Sequence, residues 1–345
     1  MVNGLRQRML GTAVGLMVDR LMGEPPAIVH PVARFGQGMA WLDQRWWRDD
    51  RVRGVAYATV GLGAAGAAGF LLDGVLPAAA ATATATAMSV AGRALGDAAV
   101  TVGSAIARED LAAARDGLSA LVARDRHGLE EKEIVRAVVE SVAENSADAI
   151  VAPALWGSLG GATGALVHRA ANTLDAMVGY RNDRYGRFGW AAARADDVLA
   201  WPAARITAVL VALVRPARAL DIWRAVRRDA PHHPSPNAGV SEAAFAAALG
   251  LRLGGTNRYG DRIQEQPHLG NGRPAEAEDI DRVVRLSRDI TVALGLLLAA
   301  PALGARVFGV HPGHTGRRLR QQPSERPRPS QTPRRSQRRR SQRKP

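Results

Sequence analysis

The 345-residue chain is 47% apolar by residue type but only 5% aromatic, with 36 Gly and 19 Pro. It is a folding sequence whose apolar content is mostly Ala, Val and Leu. Residues 316–345 hold twelve Arg or Lys against one acid, Glu325, and so carry +11 of the net charge of +14; the absence of Cys excludes a disulfide scaffold, a thiolate metal site and a cysteine nucleophile.

Arg6 and Arg8 precede a short apolar run that ends at Asp19 and Arg20 with no small-residue cleavage site, so no secretory leader is expected. A Pro-punctuated turn follows, from Asp19 through Gly23-Glu24-Pro25-Pro26 to His30-Pro31. Three uncharged runs of nineteen residues occupy 54–72, 74–92 and 149–167, and one of sixteen occupies 290–305. A bilayer core of about 30 Å needs roughly 20 apolar residues in a helix. The first two runs, separated only by Asp73, read as a hairpin crossing a membrane twice. A soluble Ala-rich bundle is the other reading, but soluble helices normally carry a polar stripe and these runs have none.

Between Arg93 and Asp148 the chain is charged, with apolar residues at helical spacing (Leu111, Leu118, Leu121, Val122; Ile134, Val135, Val138, Val139, Val142). The pattern predicts two water-exposed helices separated by a turn at 124–128. Basic residues in 34–53 and 93–136 place both loops on the cytoplasmic side. The run 149–167 contains Pro153 and four glycines, which predicts a re-entrant or broken segment packed inside protein. Pro234–Gly239 is a turn before a helix from Val240, with Leu253-Gly254-Gly255 ending it. Residues 313–345, rich in Arg, Pro, Ser and Gln, read as a disordered tail. Such a tail can bind anionic lipid or nucleic acid through charge alone or be a solvated appendage; no specific nucleic acid is expected. The fold expectation is all-α: a polytopic integral membrane protein with a charged helical cytoplasmic segment, its membrane-embedded domain at 1–312 and the tail at 313–345.

Glu140, Glu144 and Asp148 recur at i, i+4, i+8, so a continuous helix stacks three carboxylates on one stripe. Like charges at that spacing repel, and only Arg136 sits where it can compensate. The stripe suits a cationic partner (a metal ion, an amine or distant arginines), and oxygen-only ligands suit Mg²⁺; a solvated acidic face is the plain alternative. His168, Asn172 and Asp175 share a helix face. Arg181, Arg184 and Arg187, interleaved with Tyr180, Tyr185 and Phe188, can grip phosphate or stack on bases. Asp196-Asp197, flanked by Arg194 and Arg205, is a second candidate metal site or a salt-bridge network. No Walker loop, GxGxxG, GxSxG or HExxH occurs.

Taken in order, these blocks resemble the adenosylcobinamide-phosphate synthase family of cobalamin biosynthesis (CobD/CbiB type). The matching stretches are Asp19…Gly23-Glu24-Pro25…His30-Pro31-Val32, Arg124-Asp125, Glu140-Ser141…Ala143-Glu144-Asn145…Asp148, Asn172-Thr173-Leu174-Asp175…Gly179-Tyr180, Phe188-Gly189, Arg194…Asp196-Asp197 and Ser235-Pro236-Asn237…Gly239. Ala200 stands where the family usually has Asn. The resemblance implies a multi-pass cell-membrane ligase that joins (R)-1-amino-2-propanol O-phosphate, or free aminopropanol, to the f side-chain carboxylate of adenosylcobyric acid. It implies ATP and Mg²⁺, with membrane lipid and other corrinoid-pathway enzymes as partners. Glu140, Glu144 and Asp148 are then nominated for the metal. Arg124, Asn172, Arg181, Arg184, Arg187 and Asn237 are nominated for substrate and phosphate. Asp175, Asp196 and Asp197 form the catalytic set, with Asp175 or Asp196 as base. A helical transporter of a corrinoid or an ion is the competing reading, because intramembrane carboxylates fit that class too.

Overall fold

Ala and Leu are among the strongest helix formers, and in the computed structural model helices account for most of the chain. The structure describes residues 2–307, apart from 26, 27, 29, 123–125, 127, 260 and 261. The expected tail at 313–345, the first position of the expected turn (Arg124) and much of that turn lie outside the described residues.

The helices run α1 (Val2–Met22), α2 (Pro31–Trp46), α3 (Arg51–Val75), α4 (Ala78–Ser89), α5 (Gly92–Ala107), α6 (Leu111–Gly117) and α7 (Glu131–Ser146). A π-turn (Ala147–Val151) leads from α7 into α8 (Ala152–Val178), followed by α9 (Trp190–Val214), α10 (Ala219–Asp229) and α11 (Ala238–Leu249). Strands β1 (Leu251–Tyr259), β2 (Arg262–Leu269) and β3 (Arg273–Pro274) precede α12 (Glu278–Val307). Among the described residues three helical stretches are long and apolar enough to cross a membrane: Arg51–Val75, Glu131–Val178 and Trp190–Val214.

The second uncharged run does not make a second crossing helix. Pro77 starts α4, which stops at Ser89 after 12 residues; at 1.5 Å per residue that is about 18 Å, short of a bilayer core. It packs against α1 and α8 instead. Gly11 permits the approach of α1, since a Cβ there would fall 2.3 Å from the Ala79 carbonyl oxygen.

The run 149–167 is broken, as its Pro and Gly content predicts. Gly161, at φ 67° and ψ −150°, interrupts α8. The backbone groups freed by the break find partners elsewhere in the chain. Ala162 and Thr163 donate their N–H groups to the Asp73 carboxylate at 3.1 and 3.2 Å, and Thr163 Oγ1 adds a third bond at 3.1 Å. On the other side of the break, Arg8 donates to the Leu159 carbonyl at 2.8 Å. The lone charge between the first two runs is therefore a helix cap.

Two further expectations fail. The charged segment does not form water-exposed helices: Ile134, Val135, Val138, Val139 and Val142 on α7 are all buried in the largest hydrophobic cluster. Glu and Lys at its first turn had suggested solvent, but the apolar positions cover too much of the helix surface for one face to be wet. The fold is also not all-α. Gly250, at φ 72°, ends α11 in the left-handed conformation, and the residues expected to end that helix lie within β1. The three strands take the order β2-β1-β3, with β1 antiparallel to β2 and parallel to β3. Leu251 and Leu253, two apart and both buried, show the alternation that anchors β1.

Helix α3 meets α8 and α9 through small residues, Gly54, Ala58, Gly61, Ala65 and Gly69. A Cβ on Gly69 would fall 2.3 Å from Thr163 Cα, whereas one on Gly63 would meet nothing within 4 Å. Gly69→Leu is expected to destabilise the protein by about 1–3 kcal/mol or more through overpacking. Gly63→Ala is expected to be neutral or stabilising by up to about 1 kcal/mol; unfolding midpoints of the two purified variants check both.

Candidate functional site

Helix α7, the π-turn, the C-terminal end of α8 and the first turns of α9 bring six carboxylates into electrostatic reach of one another. Glu140 and Glu144 lie on α7, Asp148 in the π-turn, Asp175 near the end of α8, and Asp196 and Asp197 on α9. The charges that bear on Glu144 are Glu140 and Asp175, and those that bear on Asp148 are Asp196, Glu144, Asp175 and Asp197. Asp175 feels Asp197, and Asp196 feels Asp175, Asp197 and Glu144. The expected stripe is thus extended by three acids from two further helices. It is not carried by one continuous α-helix, because the π-turn resets the register at Asp148.

Glu140, Asp175 and Asp196 are seated differently. Glu140 Oε1 accepts the Gly254 N–H at 2.9 Å and lies 3.9 Å from Arg136 Nε. Asp196 Oδ1 accepts from Asn172 Nδ2 at 3.4 Å, which links α8 to α9. The Asp175 carboxylate folds over Gly179, where a Cβ would sit only 1.9 Å from Oδ1. This steric demand explains the Asp-x-x-x-Gly spacing. Gly189 is required for a similar reason, because its Cβ would fall 1.7 Å from the Val178 carbonyl oxygen where the loop closes on α8.

Asn237 connects the α11 side to α9: its Nδ2 donates to the Asp197 backbone oxygen at 2.8 Å, and its Oδ1 accepts from Arg205 at 2.8 Å. Arg205 also reaches the Pro236 carbonyl at 3.0 Å. Nearby, His233 is held below the ordinary imidazole value by burial, against the opposing pull of the Ser235 backbone and of Glu140.

The arginine triplet does not form one cluster. Arg184 pairs with Asp43 of α2 at 3.4 Å, and its carbonyl accepts from Trp47 Nε1 at 2.8 Å. Tyr185 donates to the same Asp43 at 3.0 Å, and Arg187 pairs with Asp49 at 3.7 Å. Arg181 is exposed. The residues 180–189 form turns, not a helix, so spacing by three does not align these side chains. Arg136, Gly254 and Asp43 were not legible as site residues; their roles depend on contacts between residues more than a hundred positions apart.

Among the described residues no set of three or more His, Asp or Glu side chains stands close enough to coordinate an ion directly. The donor set nevertheless fits a hard cation. It is made of oxygens, the charges acting on Glu144 and Asp148 are those of other acids, and Mg²⁺ usually keeps several waters and takes only one or two carboxylates.

A family model described as CobD/Cbib protein matches residues 12–287. The Mycobacterium tuberculosis protein described as "Cobalamin biosynthesis protein CobD" is 45% identical over 296 residues, covering 84% of this chain and 94% of its own length. Proteins of the same description from Geobacter metallireducens and Halalkalibacterium halodurans are 40% and 37% identical, covering 82% and 85% of this chain and 93% and 96% of their own lengths. No solved structure matches the chain.

Asn237→Ala removes the partner of both Arg205 and the Asp197 carbonyl. It is expected to cost about 1–3 kcal/mol, read as a lowered denaturation midpoint. Asp197→Asn leaves that carbonyl in place and breaks only the partly exposed pair with Arg194, so its midpoint should move less.

Proposed function

The chain belongs to the CobD/CbiB family, and from that premise we propose that it is an ATP-dependent ligase of cobalamin biosynthesis. The amide it forms joins the f side-chain carboxylate of adenosylcobyric acid to (R)-1-amino-2-propanol O-phosphate or to the free aminopropanol. The observation that carries this reading is the carboxylate cluster. Acids from α7, the π-turn, α8 and α9 all fall in the stretches that resemble the synthase family, and they lie within electrostatic reach of one another.

The chemistry assigns work to these residues. A carboxylate and an ammonium do not condense in water, so the corrinoid carboxylate must first take a phosphoryl group from ATP. Amine attack then forms the C–N bond, with phosphate as the leaving group. Mg²⁺, when bound, supplies charge neutralisation for the phosphates; Glu144 and Asp148 would hold it through one or two oxygens and water, with Glu140 beside them. Asp175 has no hydrogen-bond donor among the described residues and interacts with Glu144, Asp148, Asp196 and Asp197, so it is the group to take the amine's proton. Asp196 is oriented by Asn172 and reinforces the field, with Asp197 next to it. Asn237 fixes the backbone at Asp197 and so positions this pair. Of the arginines, Arg181 is left for substrate phosphate, while Arg184 ties its loop to Asp43 of α2 and Arg187 ties it to Asp49 in the turn after α2; Arg124 lies outside the described residues.

We also read the protein as a multi-pass cell-membrane protein in contact with lipid. Three stretches have the length and apolarity to cross. Val60, Phe70, Leu71 and Val75 on α3 and Val198, Val209 and Leu213 on α9 are exposed, which suits a lipid environment. Exposed tryptophans carry arginines over their rings: Arg45 on Trp41, Arg205 on Trp201 and Arg227 on Trp223. Such pairs suit a membrane–water boundary.

Membranes containing the chain, incubated with adenosylcobyric acid, ATP, Mg²⁺ and either amine, are expected to yield the amide by mass spectrometry. Corrinoid uptake by proteoliposomes with no amide formed would instead favour transport. In the same assay Glu144→Gln is expected to lower the rate by roughly 10²-fold and raise the Mg²⁺ needed for half-maximal rate; a normal rate and Mg²⁺ requirement would remove Glu144 from the site. For the membrane assignment, the protein is expected to stay in the pellet through carbonate washing, and release into the supernatant would overturn it.

A further inference from the structure

The stripe of α7 does not begin with Glu140. At steps of four it reads Lys132, Arg136, Glu140, Glu144 and then Asp148 in the π-turn, so a cationic end precedes the anionic one. Beside the cationic end lies a cavity of about 170 Å³ between α7 and the strands, lined by Lys132, Glu133, Arg136, Arg252, Gly254 and His268 among others.

We propose that this cavity binds the phosphate group of a phosphorylated substrate, an inference that rests on the ligase reading above. Its wall is built for close approach. Gly254 and Gly255 take φ of 82° and 98° at an irregularity in the β1–β2 pairing. A Cβ on Gly254 would fall 2.1 Å from the Pro267 carbonyl oxygen, and one on Gly255 would fall 3.0 Å from the Arg136 guanidinium. Arg136 donates to the carbonyls of Gly254 and Thr256, the latter at 2.7 Å, so its charge is fixed in place. His268 is held with Nδ1 3.3 Å from the Leu253 carbonyl oxygen.

The charge balance favours an anion. Glu133, the one acid of the lining, accepts the Glu130 N–H at 2.9 Å in a capping box. Lys132 and Arg252 are exposed and make no hydrogen bond or ion pair among the described residues. They are two cations with no structural duty on view. Lys132 is also the only lysine before residue 344 in a chain that otherwise uses Arg. Arg136 stands one helical turn, about 6 Å of rise, from Glu140. A phosphate held here therefore lies next to the carboxylates assigned to the cation, the arrangement that a phosphate–cation pair requires.

Two substrates of the proposed reaction carry phosphate: the nucleotide and the phosphorylated amine. The test uses the full chain in detergent or nanodiscs. Binding of three probes is measured by calorimetry: a non-hydrolysable ATP analogue, aminopropanol phosphate and inorganic phosphate. The double variant Lys132→Ala/Arg252→Ala, which disturbs no bond of the fold, is expected to weaken at least one substrate probe and inorganic phosphate by about tenfold or more. Arg224→Ala, removing an exposed arginine on α10, is expected to change each by less than about twofold. Loss confined to the nucleotide assigns the cavity to ATP, and loss confined to the amine assigns it to that substrate. Unchanged affinity for all three probes overturns the proposal. Inorganic phosphate is read without turnover, so binding that depends on Lys132 and Arg252 would stand even if no amide formed; only the ligase reading would then fall.

Discussion

Six acidic side chains gathered in a largely apolar scaffold are the constraint around which this molecule is arranged. Gathering like charges away from bulk water is costly, and a fold tolerates it only where other contacts hold the groups in place. Here the restraints come from distant parts of the chain. The backbone of β1 donates to Glu140, Asn172 bridges from α8 to Asp196, and Asn237 fastens the α9 backbone beneath Asp197. The π-turn that carries Asp148 fits the same picture, since such turns interrupt helices mainly where a site needs a side chain re-aimed.

Such restraint requires a rigid surround, and this sequence makes one with few large side chains. Tyr57, Phe188 and Phe245 are the largest fully buried residues, and much of the core is Ala and Gly. Cohesion therefore depends on short interhelix distances. Gly54 against the Phe188 carbonyl, Gly69 against Thr163 and Gly11 against Ala79 each place backbone where a side chain would otherwise stand. Close packing also makes the break in α8 tolerable. Asp73 pairs the Ala162 and Thr163 N–H groups and Arg8 the Leu159 carbonyl, so irregular backbone is met by partners from opposite sides.

The features legible from residues alone were the local ones. The acidic stripe on α7, the broken segment after Pro153 and the first crossing-length run follow from spacing and composition. What escaped depends on long-range geometry. The strands after Gly250 are masked by Gly-Gly and by alternation too short to register. The length of α4 hinges on where Pro77 and Ser89 stop a helix, which an uncharged run does not reveal. The arginines at 181, 184 and 187 looked like a unit, yet their loop turns Arg184 and Arg187 toward Asp43 and Asp49, acids that nothing in the local sequence marks as partners. Burial of α7 was likewise invisible, because its charged first turn suggests solvent while its valines pack inward.

The polarity of α7 connects these observations. A helix dipole favours acids at the N-terminus and bases at the C-terminus, and the first turn of α7 obeys this with Glu131 and Glu133. Along the site-facing stripe the order is the reverse, with Lys132 and Arg136 first and Glu140, Glu144 and Asp148 after them. Helix stability alone would not select that arrangement, and the i, i+4 repulsion of Glu140 and Glu144 works against it. A ligand pair with an anionic and a cationic component does select it, because each component then meets opposite charge along one helix face. The glycines of β1 bring backbone against Arg136 at the junction of the two halves, in positive-φ conformations that a residue with a side chain rarely adopts.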